Sequence, residues 1–157
     1  MYPTVLRIPA TVAYAAAVPI DRGLTHVALP VTDVDASVDF YRRYAAMEIV
    51  NSRSDAETGD RVVWLSDRTR PFVVVLIEQA RVDGGLTGFS HLGVGCETRA
   101  DVDRLCATAA SEGRVVLGPL DSGPPVGYWG MIRDPDGHNL ELSHGQEVGL
   151  TVERASD

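Results

Sequence analysis

The sequence predicts an α+β fold made of two tandem modules, each with the order strand, helix and three further strands. This order of patterns occurs twice between residues 23 and 147. A weak internal repeat accompanies it, in which Thr25-His26-Val27 corresponds to Ser90-His91-Leu92 and Ser66-Asp67 to Arg133-Asp134. Because half a domain is too small to bury one face of a sheet by itself, we expect the two modules to pack against each other.

The composition is that of one globular domain. The chain has 157 residues, an apolar fraction of 45% and a formal charge of −8, from 22 acidic and 14 basic residues. Every basic residue is Arg, which excludes a Lys Schiff base, and the absence of a dense Arg cluster argues against a nucleic-acid partner. No apolar run reaches membrane-spanning length. Two cysteines, Cys96 and Cys106, favour a reducing compartment, the cytoplasm, over a disulfide framework.

Residues 1–22 form a segment ahead of the predicted domain. Its mildly apolar, Ala-rich part follows a single Arg7 and is interrupted by Pro9. These features fit a leader or an extra strand lying on the domain better than a secretory signal. Residues 19–23 mark the start of the domain, and residues 148–157 are predicted to be a C-terminal tail.

The first module, residues 23–80, begins with a strand at 25–31. His26 lies on the face opposite to its apolar residues, which are Val27, Leu29 and Val31. Asp33 or Asp35 can cap the helix that follows, in which apolar residues recur at helical spacing. Three further strands are predicted at 47–52, 61–66 and 72–78.

The second module, residues 88–147, repeats this pattern. His91 lies in its first strand, on the face opposite to Leu92, Val94 and Cys96. A helix is predicted to begin at Thr98 or Arg99 and to end at Gly113. Short strands are expected at 115–117, 127–133 and 139–143.

The last predicted strand carries a carboxylate on its inner face. It follows a turn at Asp134–Gly137, and Glu141 alternates with the apolar Leu140 and Leu142. A carboxylate in this position is costly unless it has a partner, such as a metal ion. Since His26 and His91 occupy equivalent positions in the two modules, we predict a metal site formed by His26, His91 and Glu141. Two imidazoles and one carboxylate suit Fe(II), Mn(II), Zn(II), Ni(II) or Co(II) with open coordination positions.

Three stretches, at 24–33, 37–41 and 134–142, resemble the vicinal oxygen chelate superfamily, which includes glyoxalase I, extradiol dioxygenases and bleomycin-binding proteins. The resemblance covers about residues 24–146 and implies a cupped mixed sheet around a divalent metal ion, with His26, His91 and Glu141 at the ligand positions. It also implies a small-molecule substrate that chelates the metal. The modules are expected to pair within one chain or to be exchanged between the chains of a homodimer.

Departures from the patterns of individual families narrow the choice of reaction. Glyoxalase I has a fourth ligand in the last strand of its first module. When Asp67 is aligned with Asp134, Val74 is the residue of that strand that corresponds to Glu141, and valine cannot bind a metal. Met131 stands where ring-cleaving extradiol enzymes have Tyr, and fosfomycin transferases depend partly on Lys. We therefore expect Lewis-acid catalysis of a lyase, isomerase or transferase type. An Fe(II) dioxygenase and a metal-free antibiotic- or metabolite-binding protein are the alternatives.

Two further residues are candidates for catalysis. Glu78 is the candidate base of the first module, provided that it bends inward. Tyr128 is expected to form a wall of the pocket, together with Trp129 and Trp64. The remaining histidines, His138 and His144, alternate with Glu141 and are predicted to be surface residues.

Overall fold

The computed structural model describes residues 23–155. The first module consists of β1 (His26–Val31), α1 (Val34–Ala45), β2 (Glu48–Ser54), β3 (Arg61–Ser66) and β4 (Val73–Glu78). The second consists of β5 (Leu92–Gly95), α2 (Arg99–Ser111), β6 (Val115–Asp121), β7 (Tyr128–Arg133) and β8 (Asn139–His144). The predicted α+β class with two βαβββ modules is therefore confirmed.

The predictions for the two ends of the chain have different outcomes. The leader or extra strand predicted for residues 1–22 lies outside the described residues. The segment predicted as a C-terminal tail contains a short helix, α3 (Val148–Arg154). No helix between residues 23 and 155 combines the length and the apolar character needed to span a lipid bilayer.

Each module forms its own four-stranded sheet. The strand orders are β1-β4-β3-β2 and β5-β8-β7-β6. In both sheets the first strand is parallel to the last strand of its module, and the other neighbours are antiparallel. Within residues 23–155, β1 and β5 are therefore edge strands, each with one side of its backbone not paired within its sheet.

The register of the sheets corrects the predicted alignment of the modules by one residue. Ala28 pairs with Val75 in the first sheet, and Gly93 pairs with Glu141 in the second. Val75, and not Val74, is therefore the counterpart of Glu141. The cause is the turn before the last strand, which has six residues (67–72) in the first module and five in the second. Valine still provides no metal donor at this position.

The helices cover one face of each sheet. Asp33 caps α1 by accepting from the backbone N–H of Ala36, and α2 begins with a capping box formed by Thr98 and Asp101. Buried apolar side chains of α1, α2 and the facing strands form one continuous core, which includes Val38, Tyr41, Leu65, Leu76, Val102, Leu140 and Leu142. The opposite sheet faces, which carry His26 and Glu141, are called the open faces below.

A network of hydrogen bonds joins the predicted turn of the second module to the first module. Thr32 donates to the Asp136 carboxylate from its backbone N–H and from its hydroxyl, the latter at 2.6 Å. The buried Tyr41 hydroxyl donates to Asp134 Oδ2 at 3.1 Å. Burial and the nearby Asp134 raise the pKa of Tyr41, which keeps this hydroxyl protonated. These contacts are called the intermodule clasp.

His138 also belongs to the clasp, so its prediction as a surface residue is wrong. Its side chain is only 1% exposed. Nε2 contacts the Pro30 carbonyl oxygen at 2.8 Å, and Nδ1 accepts from the backbone N–H of Leu86 at 3.1 Å. Because Nδ1 accepts, Nε2 carries the proton and donates to Pro30. The loop around Gly85 covers the ring so closely that a Cβ at Gly85 would lie 2.7 Å from Nδ1.

Candidate metal centre

His91 and Glu141 meet on the open face of the second sheet. His91 precedes β5, Glu141 lies in the middle of β8, and their Nε2 and Oε2 atoms are 3.5 Å apart. Glu141 is only 6% exposed, so its carboxylate has lost most of its contact with water. Gly93, its partner across the strands, has no side chain that would cover the carboxylate.

The orientation of the His91 ring suits a metal ligand. Its Nδ1 lies 2.6 Å from the carbonyl oxygen of Phe89, so Nδ1 carries a hydrogen and donates. In the neutral imidazole the lone pair is then on Nε2, facing the carboxylate oxygen of Glu141. A nitrogen lone pair and a carboxylate oxygen repel each other unless a proton or a cation lies between them. A carbonyl that fixes the outer nitrogen is also the usual support of a metal-bound histidine, so these residues fit a divalent metal ion.

Neighbouring polar groups hold this arrangement in place. The Asn139 amide donates to the Gly88 and Ser90 carbonyl oxygens and so fixes the segment that leads to His91. Asn139 Oδ1 is buried and has no hydrogen-bond partner among the described residues. Gln146 donates from Nε2 to Glu141 Oε1 at 2.6 Å.

Gln146 was not identified from the sequence. It lies beyond the end of β8, where strand alternation no longer predicts a direction. Gly145 bends the chain there with a φ of +78°, a conformation that favours glycine. The short, polar sequence of this loop contains no signal that its amide returns to the sheet.

His26 lies on the open face of the other sheet. It is the first residue of β1 and is exposed, and its Nδ1 is 3.0 Å from the Thr25 hydroxyl. Within residues 23–155, no group of three or more His, Cys, Asp or Glu side chains converges closely enough to hold a metal ion. One chain thus brings together two of the three predicted ligands, His91 and Glu141, and leaves His26 apart from them.

Glu78 and Tyr128 face the helices and not the open faces, so the orientation predicted for both is wrong. Glu78 is paired with Val31, on the side of α1, and accepts from the backbone N–H of Arg61 at 3.2 Å. Tyr128 is paired with His144, on the side of α2, and its hydroxyl donates to Asp103 at 2.5 Å. The hydrogen bond to Asp103 raises the pKa of Tyr128.

Two tryptophans do lie on the open faces. Trp129 is paired with Ser143 and therefore shares the face of Glu141, and its indole N–H donates to the Ser122 hydroxyl at 3.0 Å. Met131, directly beside Glu141, is buried on the same face. Trp64 is partly exposed on the open face of the first sheet, beside Val75. Both open faces thus combine apolar surface with the predicted metal ligands.

Comparison with known proteins identifies the family. A model of the Glyoxalase/Bleomycin resistance protein/Dioxygenase superfamily matches residues 23–142. An uncharacterised protein of Pseudomonas aeruginosa is 34% identical over 129 residues, which cover 80% of this chain and 91% of the relative.

Solved structures share the fold. The trypanothione-dependent glyoxalase I of Leishmania major has a TM-score of 0.63 at 22% identity, over 86% of this chain and 95% of that chain. The fosfomycin resistance protein FosX of Listeria monocytogenes, in complex with Mn(II), has a TM-score of 0.64 at 17% identity, over 85% and 99%. Because the family model matches more than half of the sequence, the chain belongs to the Glyoxalase/Bleomycin resistance protein/Dioxygenase superfamily.

Proposed function

We propose that this protein is a divalent-metal-dependent enzyme that acts on a small oxygen-chelating substrate by Lewis-acid catalysis, as a lyase, isomerase or transferase. The observation that carries the proposal is the His91–Glu141 pair, with Nε2 and Oε2 3.5 Å apart and Nδ1 bonded to the Phe89 carbonyl oxygen. The Mn(II) complex of FosX, a protein of the same fold, supports a metal in this family.

Each residue has a defined part in this proposal. His91 Nε2, Glu141 Oε2 and a ring nitrogen of His26 would hold the ion. When bound, the metal supplies a positive charge that polarises a substrate oxygen and stabilises the negative charge that develops on it. The Phe89 carbonyl keeps His91 in the tautomer whose Nε2 is free. Trp129 and Met131 provide apolar surface next to the ligands, which excludes water from the reacting groups.

The position of His26 leads to the proposal of a homodimer. β1 and β5 are edge strands, and each carries a predicted ligand at or just before its first residue. If β1 of one chain lies beside β5 of a second copy with the N-terminal ends of the two strands adjacent, His26 comes close to the partner's His91. This arrangement would complete the ligand set. It would also pair the backbone of β1 with that of the partner's β5.

Metal content tests the proposed function. Protein purified without chelator is expected to retain stoichiometric divalent metal by elemental analysis, whereas His91→Ala and Glu141→Gln are expected to lose it. His144→Ala is the matched control, because His144 lies on the helix side and contacts the Cys96 carbonyl oxygen. Folded wild-type protein that binds no divalent ion, even when titrated with an excess, contradicts the proposal and favours a metal-free binding protein.

A mixing experiment tests the homodimer. His26→Ala and His91→Ala chains are each expected to lack a complete ligand set. If the site is shared between chains, a mixed dimer contains one intact site, formed by His26 of the second variant and His91 of the first. Metal binding with the affinity of the wild type is then expected to return when the two variants are unfolded and refolded together. A mixture that binds no more metal than its separate components contradicts a shared site.

The composition of the ligand set favours a second candidate function, an Fe(II)-dependent dioxygenase. Two histidines and one carboxylate are the donor set of many non-haem Fe(II) oxygenases, and Val75 adds no fourth donor. Bound iron together with substrate-dependent O₂ consumption favours this reaction. Turnover with Mn(II), Zn(II), Ni(II) or Co(II) and no O₂ consumption favours the first proposal.

A further inference from the structure

We propose that Gln146 is a positioning residue for the metal ligand Glu141 and determines which carboxylate oxygen faces the metal; this inference rests on the proposed metal site. The amide nitrogen of Gln146 is 2.6 Å from Glu141 Oε1, while Oε2 is the oxygen nearest to His91 Nε2. The two oxygens of one carboxylate therefore have different partners. Gln146 occupies one of them, and the other remains for the ion.

Because its two carboxylate oxygens have different partners, Glu141 is restricted in the ways in which it can bind a metal. A free carboxylate can rotate and can bind an ion through one oxygen or through both. The hydrogen bond to Oε1 restricts that rotation and favours binding through Oε2 alone. Fewer positions around the metal are then taken by protein, which leaves more of them open for a chelating substrate. The carboxylate is also ordered before the metal arrives, which reduces the entropy lost on binding.

The chemical type of the residue suits this role. A carboxamide donates a hydrogen bond but carries no charge, so Glu141 keeps its full negative charge for the cation. An Arg in this place would neutralise the carboxylate, and an Asp or Glu would repel it or compete for the metal. The acidic neighbour, Glu147, is exposed and its side chain lies 3.9 Å from Arg154, so it is turned to a different partner.

The backbone places the amide where it is needed. β8 ends at His144, and the positive φ of Gly145 turns the chain so that Gln146 returns to the open face. Residues outside the repeated part of the modules thus complete the environment of Glu141. In the first module the corresponding position after β4 is Ala80, whose side chain has no hydrogen-bond donor, so this feature belongs to the second module alone.

The experiment compares Gln146→Leu and Gln146→Ala with the control Gln79→Ala. Leu has nearly the volume of Gln but no donor, and Gln79 is an exposed glutamine at the end of β4. The dissociation constant of Mn(II) is measured by calorimetry. The visible absorption spectrum of the Co(II) form reports the geometry and number of ligands. Loss of a ligand's hydrogen-bond partner typically weakens metal binding by about 10–100-fold.

We expect both Gln146 variants to bind Mn(II) at least about tenfold more weakly and to shift the Co(II) spectrum, with Gln79→Ala unchanged. Gln146→Leu with wild-type affinity and a wild-type spectrum overturns the inference, because then only the volume of the side chain matters. A wild-type protein that binds neither ion overturns the proposed function instead. Since Gln146 lies in a loop outside the core, thermal melting of both variants identifies any that is not folded, and the other variant then decides.

Discussion

The two modules have the same strand order and the same pairing directions but differ at the position that matters most for chemistry. Glu141 in the second sheet corresponds to Val75 in the first. The side chain of Glu141 contacts His91 and Gln146, and the polar Asn139 lies in the same strand, β8. Val75, in contrast, lies beside Trp64. The repeated architecture therefore supplies two equivalent positions, and the side chains make only one of them a carboxylate site.

The surroundings of the two histidines differ in the same sense. His91 is oriented by the Phe89 carbonyl oxygen, and the segment before it is held by Asn139. In the part of the chain that the structure describes, residues 23–155, the His26 ring has a hydrogen bond only with the hydroxyl of the adjacent Thr25. A ligand that is oriented in advance binds at a lower entropic cost, so the second module should dominate metal affinity and His26 should add to it.

The strongest test of this comparison makes the second module resemble the first. Glu141→Val is expected to weaken divalent metal binding by at least about 100-fold, since it removes a charged ligand and not just its support. The metal-free variant should be at least as stable to urea as the metal-free wild type, because a buried carboxylate is replaced by an apolar group. Calorimetry and urea denaturation measure both. Unchanged affinity would show that Glu141 is not a ligand.

The reciprocal change makes the first module resemble the second. Val75→Glu places a carboxylate at a position that is only 8% exposed, between Ala28 and Trp64 of the neighbouring strands. We expect a loss of about 2–3 kcal/mol in the free energy of unfolding without metal. Part of this loss should be regained on addition of Mn(II), as the new carboxylate becomes a further ligand. Val75→Ala separates the effect of lost packing from that of the added charge.

The turns before the last strands offer a smaller contrast. Asp136 bonds to Thr32 of the other module, whereas Asp67 in the first module accepts from Thr69 within its own turn. Asp136→Ala should cost about 1 kcal/mol, because it removes the hydrogen bonds to Thr32 that join the two modules, while water can reach the exposed Thr32 donors. Asp67→Ala should cost less, because its bonds lie within one turn and join no other part of the fold. Chemical denaturation of both variants measures the difference, and equal losses would contradict the special role of the clasp.

The smallest expected effect is a dependence on pH. Burial raises the pKa of Asp134 above its ordinary value of 3.8, in spite of the backbone hydrogen bonds that oppose the shift. A pKa that is higher in the folded state means that protonation stabilises the fold. The contribution of Asp134 is thus greatest below pH 3.8 and is lost as the pH rises through the raised value.

Asp134→Asn isolates this contribution. Asn keeps an oxygen for the backbone N–H groups of Asp136 and His138, and the Tyr41 hydroxyl can rotate to accept from its amide. The free energy of unfolding of the wild type minus that of the variant should fall as the pH rises through this window. Urea denaturation at several pH values measures the difference. A difference that rises with pH would mean that hydrogen bonding outweighs burial at Asp134.

Several parts of the candidate site could be predicted because strand alternation depends on sequence alone. The faces of His26 and His91 follow from the alternating apolar residues that come after each of them, and that of Glu141 follows from Leu140 and Leu142. The face of Tyr128 could not be obtained in this way. Which residue of β7 lies beside Glu141 depends on the register between two strands, and the structure places Met131 there.

The length of a turn, the path of a loop and long-range packing decided the remaining features. One extra residue in the turn 67–72 moves the counterpart of Glu141 from Val74 to Val75 and turns Glu78 toward α1. His138 is buried because a distant loop closes over it, and Gln146 reaches Glu141 because Gly145 reverses the chain. The contact of His138 joins distant parts of the sequence, and that of Gln146 depends on a turn beyond the strand, so the periodicity of the strands reports neither.

The sequence by itself determined the two modules, their helices and strands, and the faces that carry His26, His91 and Glu141, because these depend on the order of polar and apolar residues. Only the tertiary structure decided which of these side chains meet. Glu141 lies in β8 and His91 directly precedes the neighbouring strand β5 of the same sheet, whereas His26 begins β1 in the other sheet. The distance between two sheets depends on how whole modules pack, and that is a property of the folded surfaces and not of any single segment.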